Sequence, residues 1–199
     1  MPGPRFTRAG VPSQHPAPDG AFHAKLGHMS VDVPRNIVLL RHAKADWPQV
    51  ADHERPLAER GRRDAPAAGE WLAEHGINPQ LTYCSTAART RETWKLAVQH
   101  LPKRPRTVYE DRLYEASPGQ IIEIINEAPD EVRDLLVIGH NPGVQAVTDL
   151  LAGSGDRDAR ERISRGFPTA AVAVLRYQGP WKSVEPGAAE LTDFWSPRA

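Results

Sequence analysis

Three short stretches of the chain hold residue types suited to binding and transferring a phosphoryl group. Arg41-His42 closes an apolar run and opens Leu40-Arg-His-Ala-Lys-Ala-Asp-Trp47. Ser85-Thr-Ala-Ala-Arg89-Thr90 follows a second apolar run, and Gly139-His140-Asn-Pro-Gly143 follows a third. A neutral imidazole is a competent nucleophile when one ring nitrogen is free and the other donates to a fixed acceptor. A guanidinium offers planar, charge-assisted forks to phosphoryl oxygens. Each stretch alone has an ordinary reading: an Arg-His pair in a solvated loop, a surface arginine on a helix, a histidine capping an Asn-Pro-Gly turn. Two arginines and two histidines at the strand ends of one sheet are not explained that way. Together they read as a phosphate pocket.

The elements that must position these residues alternate along the chain. Asn36 to Arg41 is a continuous, branched apolar run, as in a strand buried on both faces. A helix is predicted over about 58–75, with Leu57, Trp71 and Leu72 toward the core and Gly76 as its stop. Pro66 lies inside it and predicts a kink or a later start. Leu81 to Ser85 reads as a strand, about 87–100 as a helix and Thr107 to Tyr109 as a short strand. Ser117-Pro118 reads as an N-cap with proline at the first helical position, opening a helix through Ile121, Ile122, Ile124 and Ile125. A strand over 135–139, a helix over about 143–152 and a long strand from Thr169 to Tyr177 complete the alternation. The pattern predicts an α/β fold, a three-layer α/β/α sandwich with a mostly parallel sheet. In such folds ligands sit at the carboxyl ends of the strands, where all three stretches fall.

Residues 1–34 hold six prolines and no sustained periodicity, and are predicted to be a disordered extension. Met29 stands just ahead of the patterned part and is a second candidate start of translation; an intact Met1-derived peptide from native protein would exclude it. Residues 35–177 form the expected domain. Residues 178–199 read as a Pro/Gly-interrupted tail whose Leu191, Phe194 and Trp195 dock back onto it. The formal net charge is zero over 199 residues, which gives no whole-protein field toward nucleic acid or a membrane. No apolar run approaches the roughly 20 residues of a membrane span, and no secretory signal is evident. Cys84 is the single cysteine, so no internal disulfide forms and the cytoplasm is the expected compartment.

Taken in order, Arg41-His42, Ser85-x-x-x-Arg89-Thr90 and His140 resemble the histidine phosphatase (phosphoglycerate-mutase-like) superfamily over roughly residues 36–177. That family usually carries Arg-His-Gly at the first site, where this chain has Arg-His-Ala-Lys-Ala-Asp-Trp. This form, with the later Gly-His-Asn-Pro-Gly, is most similar to the SixA-type phosphohistidine phosphatases. The resemblance implies a phosphoglycerate-mutase-like fold, no cofactor and no metal, and His42 as a nucleophile that becomes a transient phosphohistidine. Arg41, Arg89 and His140, the last as an imidazolium, would hold the phosphoryl oxygens, with Ser85 and the helix start after it assisting. Many members place a carboxylate after the third strand as general acid, and Glu115 in Arg112-Leu-Tyr-Glu-Ala-Ser117 is the candidate by order; it reads equally as a charge beside the Ser117 cap. A P–N bond cleaves readily once its nitrogen is protonated, so a phosphohistidine phosphatase depends less on such an acid.

The expected partner is a phosphorylated protein or a small phosphorylated substrate, with the oligomeric state left open. No long insertion follows the first strand or the third, which leaves a shallow, open pocket that a protein-borne phosphohistidine can reach. Asp46 and Trp47 border it, Trp47 also reading as rim packing. A mutase or a nucleotide or sugar phosphatase of the same superfamily is one alternative, and a phosphate-binding module without turnover is another. Cys84-x4-Arg89 invites comparison with cysteine-dependent phosphatases, but the spacing is one residue short and the loop lacks glycine. His53, His75 and His100 form no evident metal set.

Overall fold

The computed structural model describes residues 33–198, together with Met1 and Gly3. The disorder expected for 1–34 and the candidate start at Met29 fall almost wholly outside these residues. Among the described residues there are seven strands: β1 (Arg35–Arg41), β2 (Leu81–Ser85), β3 (Arg106–Glu110), β4 (Asp134–Gly139), β5 (Ala152–Gly155), β6 (Val172–Tyr177) and β7 (Ala189–Trp195). Five α-helices join them: α1 (Glu59–Glu74), α2 (Ala88–Ala97), α3 (Pro118–Asn126), α4 (Gly143–Leu151) and α5 (Arg157–Ser164). One sheet runs in the order β3-β2-β4-β1-β6-β7-β5. β3, β2, β4 and β1 run parallel to one another, while β6 runs antiparallel to both β1 and β7. The last strand of the sequence pattern therefore enters against the direction expected from pure βαβ alternation.

The period of two along the central strands divides the core between two faces. Ile37 and Leu39 of β1 face α3, α4 and α5 through Ile121, Ile125, Val144, Val147 and Ile163. Val38 and Leu40 face α1 and α2 through Ala68, Leu72, Trp94 and Ala97. All four β1 residues are fully buried, and each such side chain stabilises the fold by about 2 kcal/mol. Helices thus cover both faces of an α/β sheet, in three layers.

Local chemistry sets several boundaries. Ser117 accepts from the backbone of Gln120 and the Gln120 side chain accepts from the backbone of Ser117, a capping box that opens α3 with Pro118 in its first turn. Gly76 ends α1 at φ 68°, in the left-handed region that favours glycine. α1 passes through Pro66 and starts at Glu59, so of the two expectations, a kink or a later start, the later start does not occur. Burial of Trp71 and Leu72 on the same helix offsets the roughly 3 kcal/mol that an interior proline costs. The stretch after Tyr177 carries β7, paired with β6 on one side and β5 on the other, with Leu191 and Phe194 buried. The sheet thus extends past the domain boundary drawn from sequence.

Candidate active site

β1 and β4 are neighbours, yet the helices that follow them pack on opposite faces of the sheet. Their carboxyl ends are left open as a crevice, the position at which open α/β sheets bind ligands. The parallel register sets Arg41 beside Gly139, so His42 and His140 leave the sheet on adjacent strands. Strands lie about 4.8 Å apart, and the two imidazole centroids are 5.2 Å apart. On the other side of β4, Cys84 pairs with Ile138, which brings the next residue, Ser85, to His140. Ser85 Oγ and His140 Nε2 share a hydrogen bond of 2.8 Å. Arg89 reaches the same place from the first turn of α2.

His42 is held in one state. Its Nδ1 lies 2.7 Å from the carbonyl oxygen of Ala43, which can only accept, so Nδ1 carries the proton and Nε2 keeps its lone pair. Burial pushes its pKa down to about 3, and the nearby His140, Arg89 and Arg41 add to that against the opposing bond to Ala43. Ala43 is itself fixed, its N–H donating to Thr93 Oγ1 at 2.9 Å while the Thr93 hydroxyl donates to the Arg89 carbonyl at 2.6 Å. One buried hydroxyl thereby ties the His42 loop to the helix that carries Arg89. α1 presses on the same loop, since a Cβ on Gly61 would sit 2.2 Å from the Lys44 carbonyl oxygen.

Burial first, then the charge of Arg89, lowers the pKa of His140 to about 4, which favours a neutral ring in the free pocket; the imidazolium expected from sequence concerns the phosphate-loaded site. The His140 Nδ1 is buried without a hydrogen-bond partner among the described residues. Arg41 donates from Nη1 to the Phe167 carbonyl at 2.7 Å, and its Nε is likewise buried and unpartnered.

Sequence reasoning missed the residues that hold Arg89. Asp52 accepts from Arg89 Nη1 at its carbonyl, 2.7 Å, and from Nη2 at Oδ2, 3.1 Å. The same carboxylate accepts from Tyr114 Oη at 2.6 Å and from Arg55 Nη1 at 3.0 Å. These bonds, Tyr114 first, hold the Asp52 carboxyl well below the usual carboxylate range. Arg55 in turn donates to the Asp46 carbonyl and lies over the exposed Trp47 ring, 3.3 Å from its centroid. Tyr114 meets His140 edge-on. Asp52-His-Glu-Arg55 carries no recognisable motif, and it is the tertiary fold that turns this short helical turn toward Arg89.

Asp52, Arg89, His140 and Glu115 line one cavity of about 520 Å³. Glu115 is exposed, makes no hydrogen bond or ion pair among the described residues, and sits at φ 57°, unusual for a residue with a side chain. Cys84 is fully buried in the α1/α2 face of the core, and burial pushes its thiol up to about 12. It is a packed thiol at neutral pH, which removes the cysteine-nucleophile alternative.

A family model for the histidine phosphatase superfamily, branch 1, matches residues 37–171. The chain belongs to the histidine phosphatase superfamily. Membership implies a phosphatase, a hydrolase of a phosphorylated substrate. An uncharacterized protein of Mycobacterium tuberculosis is 46% identical over 162 residues, covering 80% of this chain and all of the relative. An uncharacterized protein of Mycobacterium leprae is 42% identical over 165 residues, again covering 80% of this chain and all of the relative. The structure assigned as phosphohistidine phosphatase SixA from Nakamurella multipartitia superposes with a TM-score of 0.75 at 34% identity, covering 84% of this chain and 98% of its own. The counterpart assigned in Agrobacterium tumefaciens gives 0.70 at 32%, over 83% and 99%. The phosphoglycerate-mutase-like α/β fold expected from the motifs is the fold of this chain. No helix among the described residues is long and apolar enough to cross a membrane.

Proposed function

We propose that this phosphatase hydrolyses protein phosphohistidine, without a metal, through a phosphoryl group carried transiently on His42. The observation that carries the reading is the fixed tautomer of His42, with Nδ1–H on the Ala43 carbonyl and a ring kept neutral by burial. Nε2 attacks phosphorus, the P–N bond to the substrate imidazole breaks, and that imidazole leaves after taking a proton. Water then attacks the phosphorus on His42, inorganic phosphate departs and the free imidazole is restored. In both halves charge spreads over the non-bridging oxygens, so positioning and electrostatic stabilisation dominate. Arg41 and Arg89 supply forks to those oxygens, and the unpartnered nitrogen of His140 supplies a further contact. A bound phosphoryl dianion draws a proton onto His140, which converts the neutral ring of the free site into a charged donor. Ser85 orients that ring.

Support for phosphohistidine over an alkyl phosphate comes from the surroundings of Glu115, the candidate acid. It is exposed and unpaired among the described residues, and a protonatable P–N leaving group needs little from it. The superposition on structures assigned as SixA agrees with this choice. The test is phosphate release from a histidine-phosphorylated protein with EDTA present, comparing wild type with His42→Ala. Rapid release by wild type and none by the variant is expected. Equal release by both overturns His42 as nucleophile, and release confined to nucleotide or sugar phosphates overturns the substrate.

A further inference from the structure

A second cavity, about 930 Å³, lies against the candidate site on the outer side of α2. Its floor is β3, the edge strand of the sheet, with Thr107 and the exposed Tyr109 on one face of it. Its inner wall is shared with the site. Thr86 follows Ser85, and His53, next to Asp52, bonds Thr86 Oγ1 at 3.0 Å and meets Tyr114 edge-on.

The charge along this trough is segregated. Residues 86–109 contain six cations, Arg89, Arg91, Lys95, Lys103, Arg104 and Arg106, against one carboxylate, Glu92, in a chain whose net charge is zero. Arg89 serves the site. Arg91, Lys95 and Arg104 line the trough, are exposed, and have no side-chain hydrogen bond or ion pair among the described residues. The two carboxylates of the lining are both engaged, Glu54 by His53 and Glu92 by Arg62 and the Leu57 amide. The cations alone are left for a ligand.

We infer that this trough docks an extended, acidic segment of the phosphorylated polypeptide, an inference that rests on the phosphohistidine reading above. Arg91 and Lys95 are one helical turn apart on one face of α2, a rise of about 6 Å. Alternate residues of an extended chain are about 6.6 Å apart on one side. Carboxylates at every second position therefore match the pair, and Arg104 meets the chain farther from the site. An open trough over an edge strand suits a running chain, where a compact phosphate ester would leave most of it empty.

The experiment uses synthetic peptides with one histidine flanked on both sides by Glu-Ser-Glu-Ser-Glu, or by Gln-Ser-Gln-Ser-Gln, phosphorylated on histidine with phosphoramidate. Wild type is expected to favour the acidic peptide about tenfold in kcat/KM at low salt, with the preference fading as salt screens exposed charges. Arg91→Glu/Lys95→Glu is expected to abolish the preference while turnover of phosphoimidazole, too short to extend from His42 into the trough, is unchanged. Arg104→Glu, a separate exposed position, is expected to weaken it. Equal kcat/KM for the two peptides, or a preference that survives the double variant, overturns the inference. Failure of wild type on every phosphohistidine substrate would instead count against the underlying reading. The trough is then judged by anisotropy of dye-labelled, unphosphorylated peptides. Salt-sensitive binding of the glutamate peptide that the double variant loses supports it; equal binding of the glutamine peptide overturns it. Competition by tripolyphosphate without discrimination between the peptides would assign the cations to a small polyanion and overturn it too.

Discussion

Replacing Asp52 by asparagine separates the positioning of Arg89 from the binding of phosphate. The Asp52 carboxylate accepts from Arg89, Arg55 and Tyr114 at 3.1, 3.0 and 2.6 Å. A single amide oxygen can keep one of these donors, and the amide N–H₂ then faces the others. The side chain is about half exposed, so each lost charge-assisted bond is taken at the surface value of roughly 0.5–1 kcal/mol. Two such losses loosen Arg89 and the Asp52 side chain that supports it by about 1–2 kcal/mol together, which sets an upper bound of about a 5- to 30-fold fall in kcat. The loss is incomplete because the Asp52 carbonyl still receives Arg89 Nη1 at 2.7 Å. Binding moves the other way. Removing a negative charge beside a phosphate site strengthens anion binding by about 1 kcal/mol, so KM and the inhibition constant of inorganic phosphate both fall about fivefold. Steady-state kinetics on phosphoimidazole with phosphate as product inhibitor read both quantities. Asp52→Asn with kcat unchanged and KM raised would refute the reasoning, since it would make Asp52 a substrate contact instead of the support of Arg89.

Other perturbations bear on the nucleophile and its rivals. Because His42 and His140 are lowered to about 3 and about 4, kcat/KM corrected for substrate ionisation is expected to run without an inflection from pH 8 to about pH 5; an inflection near 6.5 that disappears in His140→Gln would contradict the buried neutral pair. The same two depressed values mean that the unfolded chain binds more protons below about pH 6.5. Stability is then full above that pH and falls toward pH 4, at up to about 1.4 kcal/mol per pH unit for each histidine, which denaturant titrations at several pH values would read. Cys84→Ser should leave turnover within twofold while lowering stability by about 1–2 kcal/mol, the cost of a hydroxyl in an apolar core; loss of activity without unfolding would revive the thiol. Glu115→Gln should lower turnover of an alkyl phosphate more than that of phosphohistidine, and equal losses on both would count against Glu115 as general acid.

What could be read from sequence follows from where the information lies. β1, β2 and β4 are short apolar runs closed by Arg41, Ser85 and Gly139, and their buried pattern leaves little freedom in where they start or stop. The residues ending them fall in the crevice for the same reason. β5 has no pattern to read: it is Ala-Gly-Ser-Gly, and a Cβ on Gly153 would sit 2.0 Å from the Gly187 carbonyl oxygen. α5 buries only Ala159 and Ile163 among charged neighbours, with Asp156 as its cap. Along β7 the buried residues Leu191 and Phe194 are three apart, because the pairing with β6 shifts register there, and alternation is lost. Asp52 and Tyr114 were illegible for a different reason. Their role exists only once two loops, 62 residues apart in sequence, meet over Arg89.

The two kinds of residue in the site also differ in how they are constrained. His42, His140 and Ser85 take their spacing from a parallel ladder, in which a slip of one residue would turn every core side chain of the strand to the other face. Their backbone spacing is therefore as stable as the sheet. Arg89 is positioned by a half-exposed carboxylate on a loop, an arrangement that costs little to change. In the free protein that carboxylate occupies part of the guanidinium that a phosphoryl group requires. Substrate binding must then shift Arg89 away from Asp52 or share it, while the histidines stay fixed. The adaptable part of the pocket is the 52–55 loop, and the trough on the far side of His53 borders that same loop. If the trough seats a polypeptide as inferred, that polypeptide would touch the element that holds Arg89, and its occupancy would be coupled through Asp52 to the phosphoryl transfer proposed at His42.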